Sequence, residues 1–333
     1  TNSQIYVGTE PDCAVKFNEN VVIENTTATS DGVLFGNRGG SDTLAAGKTI
    51  TIGAGGFVAG QLTLRNFIQL GTTPQSLTAT GTTQMLHYDS DWGGSTLDFS
   101  SPGINSRGTT FNGITSFSKT GAGNNDFYGD NTYVMNVTIN NSGSGRMRFG
   151  STIGDVFGGD VTVNHSASQE TSIAYNSAGN SIAGNLVMNH NGTSNSSLFC
   201  SNAENAAIVI SGNTVLNNTS TAGGSFIYFG NSGDVSLNGN LTINNVSTGS
   251  SGEIRVANSA SSLVVIDGST DVLNSQAGTT KRVYLSNNGR TIQNGVFTAV
   301  NSATATNSQI YIGQGSTASV RFEENVVISA TQP

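Results

Sequence analysis

Asn240-Leu241-Thr242-Ile243-Asn244-Asn245 decides how the chain is read, because the chain keeps rewriting it. Val137-Thr138-Ile139-Asn140, Val161-Thr162-Val163-Asn164 and Leu186-Val187-Met188-Asn189 come before it, followed by Thr214-Val215-Leu216-Asn217. Asp271-Val272-Leu273-Asn274, Thr298-Ala299-Val300-Asn301 and Val326-Val327-Ile328-Ser329 come after. Between the closing polar residues the steps are 24, 25, 28, 27, 30, 27 and 28 residues. A repeat in this range marks a solenoid, in which each unit buries its apolar face only by stacking on its neighbours.

Each period holds three short strand candidates. In 213–239 they are Thr214 to Leu216, Ser225 to Phe229 and Val235 to Leu237, each closed by Asn or Gly. The following periods keep the order, with Leu241 to Ile243, Glu253 to Val256 and Leu263 to Ile266, then Val272-Leu273, Arg282 to Leu285 and Thr291-Ile292. Alternating β-branched and aromatic residues bounded by turn formers read as strands. No segment carries a helical apolar period. Runs this short satisfy their backbone groups by stacking on the equivalent strand one period away. The expected fold is all-β, a parallel β-helix of about three strands per coil, roughly 27 residues per coil and about twelve coils. Ile139, Val163, Met188, Leu216, Ile243 and Leu273, or their immediate neighbours, are expected to point inward. Asparagines 140, 164, 189, 217, 244, 274 and 301 (Asn140, Asn164, Asn189, Asn217, Asn244, Asn274, Asn301) are expected at corners as one hydrogen-bonded ladder, since Asn tolerates αL and amides can bond from coil to coil.

The N-terminal part keeps the spacing less strictly, through Asn20 to Ile23, Lys48 to Ile52 and Ser76 to Ala79. Residues 84–112 contain Trp92 and Pro102 and are read as the same solenoid with longer corners, so 1–333 is one continuous segment. Thr1 to Gly8 returns as Thr306 to Gly313, and Phe17 to Ile23 as Phe322 to Ile328. The offset is 305 residues, and 14 of the first 23 positions are identical. The near-copies 1–25 and 306–330 predict a super-repeat of about eleven coils, or ~50–55 Å at ~4.8 Å per coil. The chain opens in mid-pattern without capping signals, so an excerpt flanked by further coils of the same parent is expected.

Composition narrows the functions. Charged residues are 10% against roughly 25% in ordinary domains. The net charge of −8 without basic clusters argues against nucleic acid, and no apolar run is long enough to insert in a membrane. Glycine contributes 43 residues and asparagine 39. Cys13 and Cys200 should lie six or seven coils apart, ~30 Å, beyond disulfide reach.

Thr109-Thr110-Phe111-Asn112-Gly113, Ser118-Lys119-Thr120-Gly121-Ala122-Gly123, the run 137–145 and Ala174-Tyr175-Asn176-Ser177-Ala178-Gly179-Asn180 resemble the β-strand-repeat giant surface proteins of Bacteroidota. That resemblance implies type IX export, an extracellular cell-surface location, and roles in adhesion, gliding or filaments that capture prey. Expected partners are further coils, a bundle of like filaments, and a surface glycan or another cell. The family brings no catalytic motif, cofactor or metal.

Chemistry is sparse. Asp89 and Asp91, with Asp98 and His87 nearby, form the best carboxylate set, and alternation would put Asp89 and Asp91 on one side of a strand, as an acid/base pair or cation ligands. A Ca2+ loop is incomplete, so a solvated corner is expected. Asp126 with Asp130, and Arg146 with Arg148, are expected to keep the surface soluble. His165 and His190 follow Asn164 and Asn189 and are expected as exposed corner side chains without a third metal ligand. No enzyme is expected. The competing reading is a polysaccharide-binding or polysaccharide-cleaving β-helix.

Overall fold

A computed structural model describes residues 4–8, 10, 12–26, 32–36, 40–275 and 279–331. All its regular structure is β: 39 strands, each paired in parallel with the equivalent strand one coil away. They fall into three faces. The second face is a 13-stranded sheet running from Lys16–Phe17 to Ser319–Phe322. The third comprises an 11-stranded sheet ending in Val326–Ala330 and the pair Val21–Asn25 with Ile50–Phe57. At their junction Gln75 replaces ladder bonds: its Oε1 accepts from Ile50 N at 2.9 Å and its Nε2 donates to Lys48 O at 3.0 Å. The first face comprises a 5-stranded and an 8-stranded sheet joined by the Arg107–Gly129 bridge. The chain is thus a parallel β-solenoid of thirteen stacked coils, numbered here from coil 1 (residues 4–25) to coil 13 (residues 307–330).

One device turns every coil from the first face to the second. A residue with positive φ follows each first-face strand, among them Gly36, Asn66, Asp89, Gly150, Ala174, Ser201, Gly230, Ala257 and Ser286. Glycine adopts this conformation freely, whereas a Cβ brings a steric cost. At Gly36 (φ 60°) a Cβ would also lie 1.7 Å from Arg65 O in the next coil, so packing requires glycine there as well.

Inward residues from all three faces make one apolar core from Ile23 to Ala299. Ile139, Val163, Met188, Leu216 and Ile243 are fully buried, and at the last position it is the neighbour Val272 that points inward while Leu273 is 37% exposed. Register explains the choice: Ile243 pairs with Val272, Asn244 with Leu273 and Asn245 with Asn274. Moving a strand by one residue sends its whole side-chain set to the opposite face. Val272 and Leu273 are both apolar, so hydrophobicity alone does not fix that choice.

The expectation of longer corners in 84–112 is reversed. Register partners Leu77 and Phe99 are 22 residues apart, and Phe99 and Phe117 only 18. Ile243 and Val272 are 29 apart. Pro102 alone separates the strands Thr96–Ser101 and Gly103–Arg107. Pro102 and the glycines around it mark tight corners rather than long ones.

Two further expectations change. The near-copies place Gln4–Val7 and Asn307–Ile312 at the same position of the first face in coils 1 and 13, so the 305-residue offset spans twelve coils, not eleven. At ~4.8 Å per coil this is about 58 Å. Thr1 to Ser3, Thr9 and Pro11 of the first copy lie outside the described residues. Cys13 in coil 1 and Cys200 in coil 9 are eight coils apart, about 38 Å, and both are free. Burial raises the Cys200 thiol to about 12.

Candidate functional site

The expected asparagine ladder divides into two. Asn164 Nδ2 donates to Asn140 Oδ1 at 2.9 Å, Asn189 to Asn164 at 2.9 Å, Asn217 to Asn189 at 2.8 Å and Asn244 to Asn217 at 2.9 Å. Asn140 Nδ2 continues the chain to Ser118 Oγ at 3.3 Å. These asparagines sit in extended strands on the outward side of the third face, half-buried, and none has positive φ. The αL reason expected for them therefore does not hold; sideways amide bonding does.

Asn274 and Asn301 belong to the other ladder, which points inward. Asn245 Nδ2 donates to Asn274 Oδ1 at 3.0 Å, and Asn274 Nδ2 to Asn301 Oδ1 at 3.1 Å. Register continues this row as Lys119, Asn141, His165, His190, Asn218, Asn245, Asn274 and Asn301. It forms a polar spine at the corner between the third face and the next coil's first face. Buried polar groups need partners, and the donors of the spine find them, while Asn141 Oδ1, His190 Nδ1 and Asn245 Oδ1 have none among the described residues. Asn245 donates to Gly252 O (2.9 Å), Asn274 to Lys281 O (3.1 Å), and Lys119 Nζ to Gly121 O (2.7 Å).

His165 and His190 stack in adjacent coils as expected, but they are fully buried rather than exposed. They belong to the inward parity of their strands, one residue beyond the outward asparagines. His165 Nδ1 lies 2.8 Å from Thr171 Oγ1 and its Nε2 3.0 Å from Ser196 Oγ, and His190 Nε2 lies 3.1 Å from Ser196 O. Burial, with His190 beside it, lowers His165 to about 3; burial also lowers His190.

The carboxylate set is not brought together. Asp89 is an exposed corner residue (φ 51°) whose Oδ2 meets Arg107 Nη2 at 3.2 Å. Asp91 lies on the second face and accepts from Asn112 Nδ2 at 2.6 Å. Asp98 lies on the third face, between Ser76 and Ser116 in register. His87 is inside the core against Trp92, Phe99 and Phe111, with neither ring nitrogen bonded, and burial lowers it to about 3. Asp126 is held by Arg146 through bonds of 3.1 and 2.8 Å, while Asp130 is an αL corner residue. Among the described residues no group of three or more His, Cys, Asp or Glu could hold a metal ion, and no helix is long and apolar enough to cross a membrane.

Three arrangements were missed in the sequence. Asn231, Asn258 and Asn287 each donate to the asparagine one coil before, in a chain starting at Asn202, at 2.7, 2.8 and 2.8 Å. Their spacing of 29, 27 and 29 residues was the available signal. Asp155 is fully buried in coil 7 and accepts from Asn131 N (3.1 Å), Asn131 Nδ2 (2.8 Å) and Gly150 N (2.8 Å), yet burial raises it to about 7. The third is an outward row on the first face: Phe199, Tyr228, Arg255, Tyr284 and Tyr311, in one register. Comparison with known protein families, with curated proteins and with solved structures finds no match.

Proposed function

We propose that this chain is a structural segment of a long extracellular filament or adhesin at a cell surface, used for attachment or for capture of prey or surfaces. The observation that supports it is the stack itself: thirteen coils hydrogen-bonded along all three faces, stitched further by asparagine ladders. Such an array behaves as a quasi-one-dimensional rod in which each coil is held by its neighbours. The resemblance to β-strand-repeat surface proteins agrees with this role and with type IX export. Further coils of the parent, like filaments in a bundle and a glycan or cell surface are its partners in this reading, and nucleic acid is not.

Imaging of the parent protein tests it. Stiff rods with an axial repeat of about 58 Å per 305-residue unit are expected; compact globular particles would overturn the reading. The segment is also assigned no catalytic role and no cofactor. Incubation with pectins, alginates and other acidic glycans should release no product. Turnover that disappears in Asp89→Asn or Asp91→Asn would replace this reading with that of a polysaccharide-cleaving solenoid.

A further inference from the structure

The outward row on the first face is built from rings that cover one another. Phe199 and Tyr228 stack at 4.8 Å and 9°, and Tyr284 and Tyr311 at 4.9 Å and 7°. The Arg255 guanidinium bridges the two pairs, 5.7 Å from the Tyr228 ring and 5.1 Å from that of Tyr284. The row stops in coil 8, where Ser172 stands in register between Arg148 and Phe199. Tyr228 covers one side of Phe199; on the other side the neighbour in the row is a serine.

A groove of about 320 Å³ lies between the two register neighbours of Ser172, lined by Phe199, Ser197, Arg146, Arg148, Gln169 and Glu170. That volume is at the lower end of small-molecule sites. Its charges cancel: Arg146 grips Asp126 through two bonds, and Arg148 pairs with Glu170. Arg148 is further fixed by the Tyr175 ring, 3.9 Å from its guanidinium carbon. An anionic ligand therefore finds no uncompensated cation. What the rim offers is dense and mixed: guanidinium and amide donors, carboxylate and amide acceptors, and a hydroxyl that does both. In the row beside Phe199, the Ser172 hydroxyl is fully buried and has no partner among the described residues. One apolar ring beside a rim of paired donors and acceptors suits a ligand with one C–H face and many neutral hydroxyls.

We infer that this notch on coils 7 to 9 binds a neutral hexopyranose unit of a glycan, its C–H face on Phe199 and its hydroxyls on Arg148, Gln169, Glu170 and Ser197. The inference rests on the adhesive half of the function proposed above and gives it a location. The test is isothermal titration and saturation-transfer NMR of the whole chain. The probes are neutral di- and trisaccharides of glucose, mannose, galactose and N-acetylglucosamine, with sialyl- and uronyl-oligosaccharides beside them. Saturable binding of a neutral sugar is expected, with a Kd of order 1 mM. Phe199→Ala should weaken it roughly tenfold. Gln169→Ala, at an exposed position, should weaken it severalfold with the fold intact, and Ser172→Tyr should abolish it by continuing the row across the notch. No saturation at tens of millimolar, unchanged affinity in both Phe199→Ala and Gln169→Ala, or binding of acidic sugars alone would overturn the assignment. Rods imaged from the parent would remain in each case, so failure of the sugar site is distinguishable from failure of the filament reading.

Discussion

Coil 5 (103–119) and coil 11 (251–274) fill the same interior by opposite means. Coil 5 lies at the end of an 18-residue step, and its large inward side chains are Ile104, Phe111 and Phe117. Coil 11 lies at the end of a 29-residue step and fills its section with Ile254, Val256, Ala257, Val264, Ile266 and Val272. A short circumference offers few inward positions, so each must be large; a long one offers many, and small aliphatic residues suffice. Close packing then leaves little void in either. Rings also stack along the axis in the tight region, Phe111 on Tyr133 at 5.1 Å and 5°, and Tyr133 on Phe157 at 4.6 Å and 8°. Both regions leave buried polar atoms without partners among the described residues, His87, Trp92 Nε1 and Tyr133 Oη in the tight one and His190 Nδ1, Thr214 Oγ1, Asn245 Oδ1 and Thr291 Oγ1 in the wider one, where the side-chain amides of Asn218, Asn245 and Asn274 nevertheless donate to carbonyls or neighbouring amides.

The most forceful way to break this comparison is to remove a ring. Phe117→Ala should lose about 3–5 kcal/mol, and Ile243→Val in a wide coil only about 0.5–1.5. Denaturant titrations of the two variants check this, and equal losses would mean that the short coils do not depend on their rings. Acid comes next. His87 and His165 bind a proton at pH 6.5 when unfolded but only near pH 3 when folded. Below pH 6.5 the unfolded state therefore holds more protons, and stability falls with decreasing pH by about 1.4 kcal/mol per unit for each histidine. Asp155, raised to about 7, acts in the opposite sense as a single group between its usual range and neutrality. At pH 4.5 the His87 contribution alone is about 3 kcal/mol. His87→Leu should flatten the pH dependence of the unfolding midpoint by that amount, and an unchanged curve would place His87 in contact with water.

Smaller effects separate the two ladders. Asn245→Ala removes a buried donor shared by Gly252 O and Asn274, and should cost about 1–3 kcal/mol. Asn244→Ala acts on a half-exposed ladder that water can partly replace, and should cost about 0.5–1 kcal/mol. Hydrogen exchange at coils 9 to 12 measures both, and the reverse order would show that the outward ladder is the stronger one.

Strand positions were legible because alternation and spacing reinforce each other: Leu263–Ile266 appears at its expected place. What sequence left open was parity. Asn244-Asn245 offers two asparagines of opposite direction, and Asn274 matches either by type. The choice follows from a buried carboxamide seeking a partner inside the coil. The histidines were misplaced for a related reason, since a corner position by spacing was equated with exposure. The notch at Ser172 was illegible because it is an interruption in a row that exists only once coils of 27 and 29 residues are aligned.

The unequal coil lengths have a consequence for how such a chain changes. Reach along the axis counts coils, not residues, so it comes in whole increments. A residue inserted at a corner alters girth and leaves reach untouched, as coils 5 and 11 already demonstrate. Only gain or loss of an entire three-strand unit lengthens or shortens the rod. A gene of this design can therefore vary its surface by small insertions and its span by duplication, with neither change disturbing the other.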